Sequence, residues 1–262
     1  MQALRTAATG MAAQDLNVQV ISNNIANMNT VGFKRQSAVF EDLLYQTQEQ
    51  PGVQSSDQGN VVPTGVQIGG GVKAGSVYRI TGQGTLTNTG NALDMAINGP
   101  GYFQVQMPDG TLAYTRAGNF SVNAQGQMVT ADGYLVQPTI TIPQNSTNIA
   151  ISQQGQVQVT TPGSATPTVV GQIQLATFLN DAGLDAQGNN LLVESAASGP
   201  ATLANPGQPG YGVVMQGYTE ASNVDPVSEI TNLIVAQRAY EMNSKVVTTA
   251  DQMLQTANNT KS

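Results

Sequence analysis

No histidine, cysteine or tryptophan occurs in this chain of 262 residues. Without cysteine there is no disulfide framework and no thiolate metal site. Without histidine the Ser-His-Asp and Cys-His nucleophile systems are excluded, and the commonest transition-metal ligand goes with them. Any acid–base chemistry would fall to paired carboxylates, Lys or Tyr. Charge is also scarce: Asp, Glu, Lys and Arg make up 10 % of residues, against about 25 % in ordinary globular chains. The net charge is −7 and the pI about 4.3. Between Tyr45 and Tyr218 the only cations are Lys73, Arg79 and Arg116. Phosphate binding needs clustered Lys and Arg, so nucleic acid is excluded as a partner, and a polybasic membrane patch is missing for the same reason. No apolar run approaches the ~18–20 residues of a membrane span, so membrane insertion is not expected. Gln14, Asp15, Asn17 and Gln19 interrupt the start of the chain, which leaves no apolar signal core. The chain is therefore expected to be cytosolic or to leave the cell without a cleaved signal.

What is present is β-type and turn-rich sequence between two helical ends. Apolar content is 40 % with 28 Gly, which is not the low-hydropathy, high-charge profile of a disordered chain. From Met1 to about Met28, Leu4, Ala8, Met11, Val18, Ile21, Ile25 and Met28 recur at helical steps. The flanks carry Thr, Gln, Asn and Ala where a solvated helix would carry Lys and Glu, and this predicts burial on more than one side. Ser22-Asn23-Asn24 and Gly32 supply the stop. The other end opens on Asp225-Pro226, a cap residue followed by a first-turn proline. One stripe there runs Val235, Ala239, Met242, Val246, Met253 and Ala257, and a second runs Ile230, Leu233, Ile234 and Tyr240. Thirty residues of helix span about 45 Å. From Val77 to Tyr218, short alternating runs are separated by Asn98-Gly99, Asp109-Gly110, Gly118, Gly126 and Gly133, the pattern of antiparallel hairpins. Later runs include Thr139–Ile142, Ile149–Ile151, Val157–Val159 and Ile173–Leu175. Tyr45 to about Gly75 is polar and Gly- and Gln-rich with no helical period, and reads as a linker or an extended arm.

Several short motifs invite chemistry and yield to plainer readings. Ile68-Gly-Gly-Gly-Val-Lys73 lacks the spacing and the Ser or Thr of a phosphate loop, so a turn is expected. Gly99-Pro-Gly101 lacks the third glycine and following helix of a dinucleotide site. Asp181 to Asn189 looks like a calcium loop, but Gly183 stands where a ligand is needed. Asp94, Asp109 and Asp132 are a conceivable glycosidase set, yet Asp109 and Asp132 precede Gly, where turn hydrogen bonds favour Asp. No catalytic, cofactor or metal residue is assigned, and no enzymatic activity is expected.

Three blocks carry a resemblance. The first is Gly10-Met-Ala-Ala-Gln14 with Ser22-Asn-Asn-Ile-Ala-Asn27 and Gly32-Phe-Lys-Arg35. The second is Asp94 to Phe103, Tyr114 to Phe120 and Gly126 to Tyr134. The third is Ser222-Asn-Val-Asp225, Gln237 to Lys245 and Thr249 to Leu254. Together they resemble the rod and hook subunits of the bacterial flagellum, in that family's order. Val39-Phe-Glu-Asp-Leu-Leu-Tyr-Gln-Thr47 with Gln50-Pro-Gly52 points to the rod branch; hook subunits lack it.

The resemblance implies an α+β fold in which the long N- and C-terminal helices pair as an inner coiled-coil-like domain. The expected boundaries are 1–35 and 222–262 for that domain, 36–75 for an extended linker arm, and 76–221 for an inserted antiparallel all-β domain. It implies a helical homopolymer, a tube with the helices innermost. Leu4, Met11, Val18, Ile25, Ile230, Leu233, Val235, Met242, Val246 and Met253 would then be self-assembly residues. Implied partners are further copies, proximal rod and hook subunits or junction proteins, the P- and L-ring bushing proteins, a rod cap, and the flagellar type III export apparatus. No cofactor is implied. Phe40 and Leu44 match an element that this apparatus is thought to read; the plain alternative is an i,i+4 pair on a helix. Competing readings are a proximal rod or hook subunit, a secreted glycan-active β enzyme, and an adhesin.

Overall fold

The computed structural model of the chain describes residues 2–49, 64–163 and 166–259. It is α+β: helix α1 (Gln2–Ala26) opens the chain, α2 (Pro226–Asn259) closes it, and antiparallel strands lie between. Two compact units result. One comprises Met1–Ile25, Gln36–Tyr78 and Asp225–Ser262, the other Ala26–Arg35 and Arg79–Val224.

In the helical unit, α2 starts where the sequence places it. Asp225 accepts from the Val227 amide at 3.2 Å and from the Ser228 hydroxyl at 2.6 Å, which satisfies donors the first turn leaves free. The expected arm carries strands in the same unit: β1 (Gln36–Asp42), β2 (Tyr45–Glu49), β3 (Val66–Gly69) and β4 (Val72–Arg79). They pair as two two-stranded sheets, β1 with β4 and β2 with β3. Phe40 thus lies on a strand, and the helix-face alternative for Phe40 and Leu44 is corrected. Residues 50–63, including Gln50-Pro51-Gly52, lie outside the described residues.

The β unit follows the hairpin punctuation at Asp109-Gly110, Gly126 and Gly133. The hairpins expected at Asn98-Gly99 and Gly118 are corrected: Met95–Asn98 pairs with Val213–Gln216, and Leu112–Thr115 with Tyr102–Gln106 and Leu191–Val193, so these glycines turn the chain between strands that do not pair with each other. Its first strands are β5 (Leu86–Asn88), β6 (Met95–Asn98), β7 (Tyr102–Gln106), β8 (Leu112–Thr115), β9 (Ser121–Val122), β10 (Met128–Val129) and β11 (Leu135–Gln137). After them come β12 (Asn148–Ile151), β13 (Gln156–Thr160), β14 (Thr168–Gln172), β15 (Leu175–Thr177), β16 (Asp185–Gly188), β17 (Leu191–Val193), β18 (Thr202–Ala204), β19 (Val213–Gln216) and β20 (Tyr218–Glu220). The main sheet runs β16-β17-β8-β7-β11-β10-β9, with β15 joining β7 to β18; β12-β13-β14 form a second sheet. Phe103, Met95, Ile97, Val105, Met128, Val136, Val157, Val159 and Ile173 fill one core, with Phe103 edge-on to Phe120 at 5.2 Å between ring centres.

Two further local expectations are corrected. Thr139–Ile142 alternates correctly, with Ile140 and Ile142 inward, but its pairing stops at a Gln127–Thr141 bridge flanked by two backbone hydrogen bonds. Residues 27 and 28 leave the first helix, which ends at Ala26. The Asp181 segment is a 3-10 turn, Asp181–Gly183, leading into β16.

Candidate assembly interface

The exposed apolar side chains of α2 are the first feature of note. α1 buries Ala7, Ala13, Val20, Ile21 and Asn24, and α2 buries only Glu229 and Ala236. The helices meet in one antiparallel register. Asn24 Nδ2 donates to Glu229 Oε2 at 3.1 Å, Gly10 faces Asn243, and Ala3 shares a cleft of about 480 Å³ with Met242, Val246, Ala250 and Met253. A Cβ at Gly10 would lie 2.9 Å from Asn243 Nδ2, a side-chain end that can turn aside, so the two helices pass close here without the site demanding glycine. Asn24 also pins the next strand: its amide donates to Gln36 O and accepts from Gln36 N, both at 2.8 Å.

The face of α2 toward α1 is therefore made of Glu229, Ala236 and Asn243, which are small or polar. Beside that face Leu233 is half-buried, and Met242, Val246 and Met253 border the cleft with Ala3, but most of the large apolar surface of the two expected stripes stays open. Val235 is 63 % exposed, Met242 65 % and Met253 66 %; Ile230, Ile234, Tyr240 and Val246 are also exposed. On α1, Leu4, Met11, Val18 and Ile25 are all half-buried. Burial of large apolar groups stabilises by about 1.5–3 kcal/mol each, and a contiguous exposed set of this kind marks an interaction surface. The strands of this unit add Val39, Leu44, Tyr45, Val66, Ile68, Val77 and Tyr78 to the exposed apolar set. Leu44 is 91 % exposed between β1 and β2, and Phe40 is half-buried on β1.

The second feature is a buried ionic node in the β unit, which sequence reading did not single out. Glu220 is fully buried, and its carboxylate accepts from Lys34 Nζ, from the Gly84 amide at 2.9 Å and from Arg116 Nη1 at 3.2 Å. Lys34 Nζ also donates to Gly82 O and Arg116 Nη2 to Gly99 O, each at 2.9 Å. Burial pushes the Lys34 ammonium below the usual lysine range, and the Glu220 carboxylate opposes that shift. Arg116 stacks 5.2 Å from the Tyr102 ring centre. Burial, with the nearby Asp181 charge, raises the Tyr102 phenol to about 12. Asp181 is itself raised by burial against the pull of Arg116.

The three sequence blocks converge here: Gly32 and Lys34 from the first, Gly99, Tyr102 and Arg116 from the second, Asn223 from the third. Asn223 accepts from the Arg35 amide at 2.7 Å and donates to Ile80 O and Gly82 O at 2.9 Å. Of the candidate carboxylates, Asp94 and Asp109 are locally engaged. Asp94 accepts from Thr89 and Asn91, and Asp109 from Thr111, whose hydroxyl and amide hold Asp109 below its ordinary range. Among the described residues no three acidic side chains converge to hold a metal, and no helix is long and apolar enough to cross a membrane.

Three family models match the chain in order. They are "Flagella basal body rod protein" over residues 4–34, "Flagellar hook protein FlgE/F/G D1 domain" over 96–159, and "Flagellar basal body rod FlgEFG protein C-terminal" over 215–260. The flagellar basal-body rod protein FlgG of Caulobacter vibrioides is 70 % identical over the whole of both chains. That of Agrobacterium fabrum is 52 % identical, and that of Buchnera aphidicola subsp. Baizongia pistaciae 50 %, each over 97 % of both chains.

Proposed function

This chain belongs to the flagellar basal-body rod protein family, and on that footing we propose that it is a structural subunit of the distal rod, the shaft carrying torque from motor to hook. The family is one of structural proteins, and the molecule's place is the basal-body rod. One observation carries the mechanism: Val235, Met242 and Met253 remain about two-thirds exposed on a helix that fully buries only Glu229 and Ala236. Leu4, Met11, Val18 and Ile25 with Ile230, Leu233, Val235, Met242, Val246 and Met253 form the contact surface between copies. A heterologous contact repeated about an axis that does not close builds a helical tube. Close-packed helices would give it stiffness, since packed interiors deform little.

The two-stranded sheets of the arm are of a kind that is marginal alone, and adjacent subunits would cover their exposed Tyr45, Val66 and Ile68. Proximal rod and hook subunits or junction proteins would cap the ends of the tube, with the P- and L-ring bushing proteins around it and a rod cap ahead of it during growth. Phe40 and Leu44 would serve the type III export apparatus; Phe40→Ala then lowers export in a secretion assay, and undiminished export removes that role.

The assembly surface is tested by Val235→Asp combined with Met242→Asp in the full chain. Both sites are exposed, so folding stability should stay within about 0.5 kcal/mol of the parent, while sedimentable polymer disappears. Polymer formed at the parent's concentration would remove this face from the contact.

A further inference from the structure

The Lys34–Arg116–Glu220 node sets two cations against one carboxylate in a site closed to water. Such an arrangement is a poor device for stability, because desolvating three charges consumes most of what their attraction returns. It does impose position, since Lys34 Nζ must reach both Glu220 and Gly82 O, and the Arg116 fork both Glu220 and Gly99 O, which an apolar cluster would not require. The segments gathered are the β unit's first and last in sequence: Gly32 to Arg35 shortly after α1, and Glu220 to Asn223 shortly before α2. Backbone bonds run the same way. Gly32 N donates to Glu220 O, Ile80 N to Arg35 O and Ala221 N to Thr85 O, at 2.8–2.9 Å.

We propose that Lys34, Arg116 and Glu220 are positioning residues of a charge clamp that fuses the first and last segments of the β unit into one root. This rests on the rod reading for its purpose: a load on the β unit then reaches both segments leading to the terminal helices together, with no slack between them.

The test is amide hydrogen exchange on the full chain, comparing the parent with Glu220→Gln, Lys34→Met and the double variant. Glu220→Gln strands two buried cations, so exchange at Gly32, Gly84 and Ala221 should accelerate at least about tenfold while Val105 and Val157 in the core hold. Adding Lys34→Met to Glu220→Gln removes one stranded charge and should return part of that protection. Unmoved root amides, root and core loosening by the same factor, or effects of the two substitutions that simply add would each overturn the clamp. Lys34→Met alone leaves a one-to-one Arg116–Glu220 pair and keeps the readout if Glu220→Gln does not fold; it should loosen Gly32 and Ile80 about tenfold, and unchanged exchange there overturns the clamp. Sedimentation of the parent is scored separately. A parent that never polymerises counts against the rod reading, and the exchange pattern still decides the clamp.

Discussion

Gly32 sits at φ +72°, and a Cβ there would lie 2.6 Å from the Ala117 amide nitrogen. Left-handed backbone together with a backbone clash predicts that Gly32→Ala costs about 1–3 kcal/mol, readable in a denaturant titration. A second single-residue consequence concerns alkaline pH. Tyr102 is raised from 10.0 to about 12, so the folded protein holds that proton longer than the unfolded chain. Its contribution to stability is complete below pH 10 and is lost as pH rises toward about 12. Tyr102→Phe should flatten the fall in stability over that window. Gly32 was legible only as a stop signal, and the surroundings of Tyr102 were not legible locally. Glu220 reads as an unremarkable residue beside Ala221 and Ser222, because its partners lie 186 and 104 residues earlier. Only the convergence of distant blocks could have pointed to it.

α2 shows which parts of an element its own sequence determines. Asp225-Pro226 marked the start because capping is a short-range contact, and Asp225 accepts from residues two and three positions on. Those hydrogen bonds, the Ser228 hydroxyl foremost, hold Asp225 below its ordinary range. The cap's contribution is therefore present above about pH 3.9 and fades as pH falls through the lowered value. Asp225→Ala should fray the first turn at neutral pH, seen as faster exchange at Val227 and Ser228, whereas Asp225→Asn should keep most of the protection. Hairpin turns at Asp109-Gly110 and Asp132-Gly133 were legible for the same short-range reason. The inward face of α2 was not. Hydropathy locates the large apolar residues, but it does not mark Ala236 as buried or Asn243 as the neighbour of Gly10 across the helix pair. The arm shows the converse: Tyr45 to Glu49 and Val66 to Gly69 are too polar to announce strands, yet they pair across a long connection.

For the whole molecule, the consequence is a division of surfaces. The residues that α2 buries fully within one chain are Glu229 and Ala236, and most of the surface of Val235, Met242 and Met253 remains for neighbours. Scarcity of charge, visible at once in composition, belongs to the same division: a helix meant to stand in water carries mainly charged and polar residues on its outer face, and α2 exposes Val235, Met242, Val246 and Met253 among Arg238, Glu241, Lys245 and Asp251. The most direct measurement is electron microscopy of the purified full chain across rising concentration. The account predicts hollow tubes with α1 and α2 lining the inner wall and Met242 and Met253 covered by adjacent copies. A folded chain that stays monomeric at the highest concentration, with both methionines still open to solvent, would contradict it.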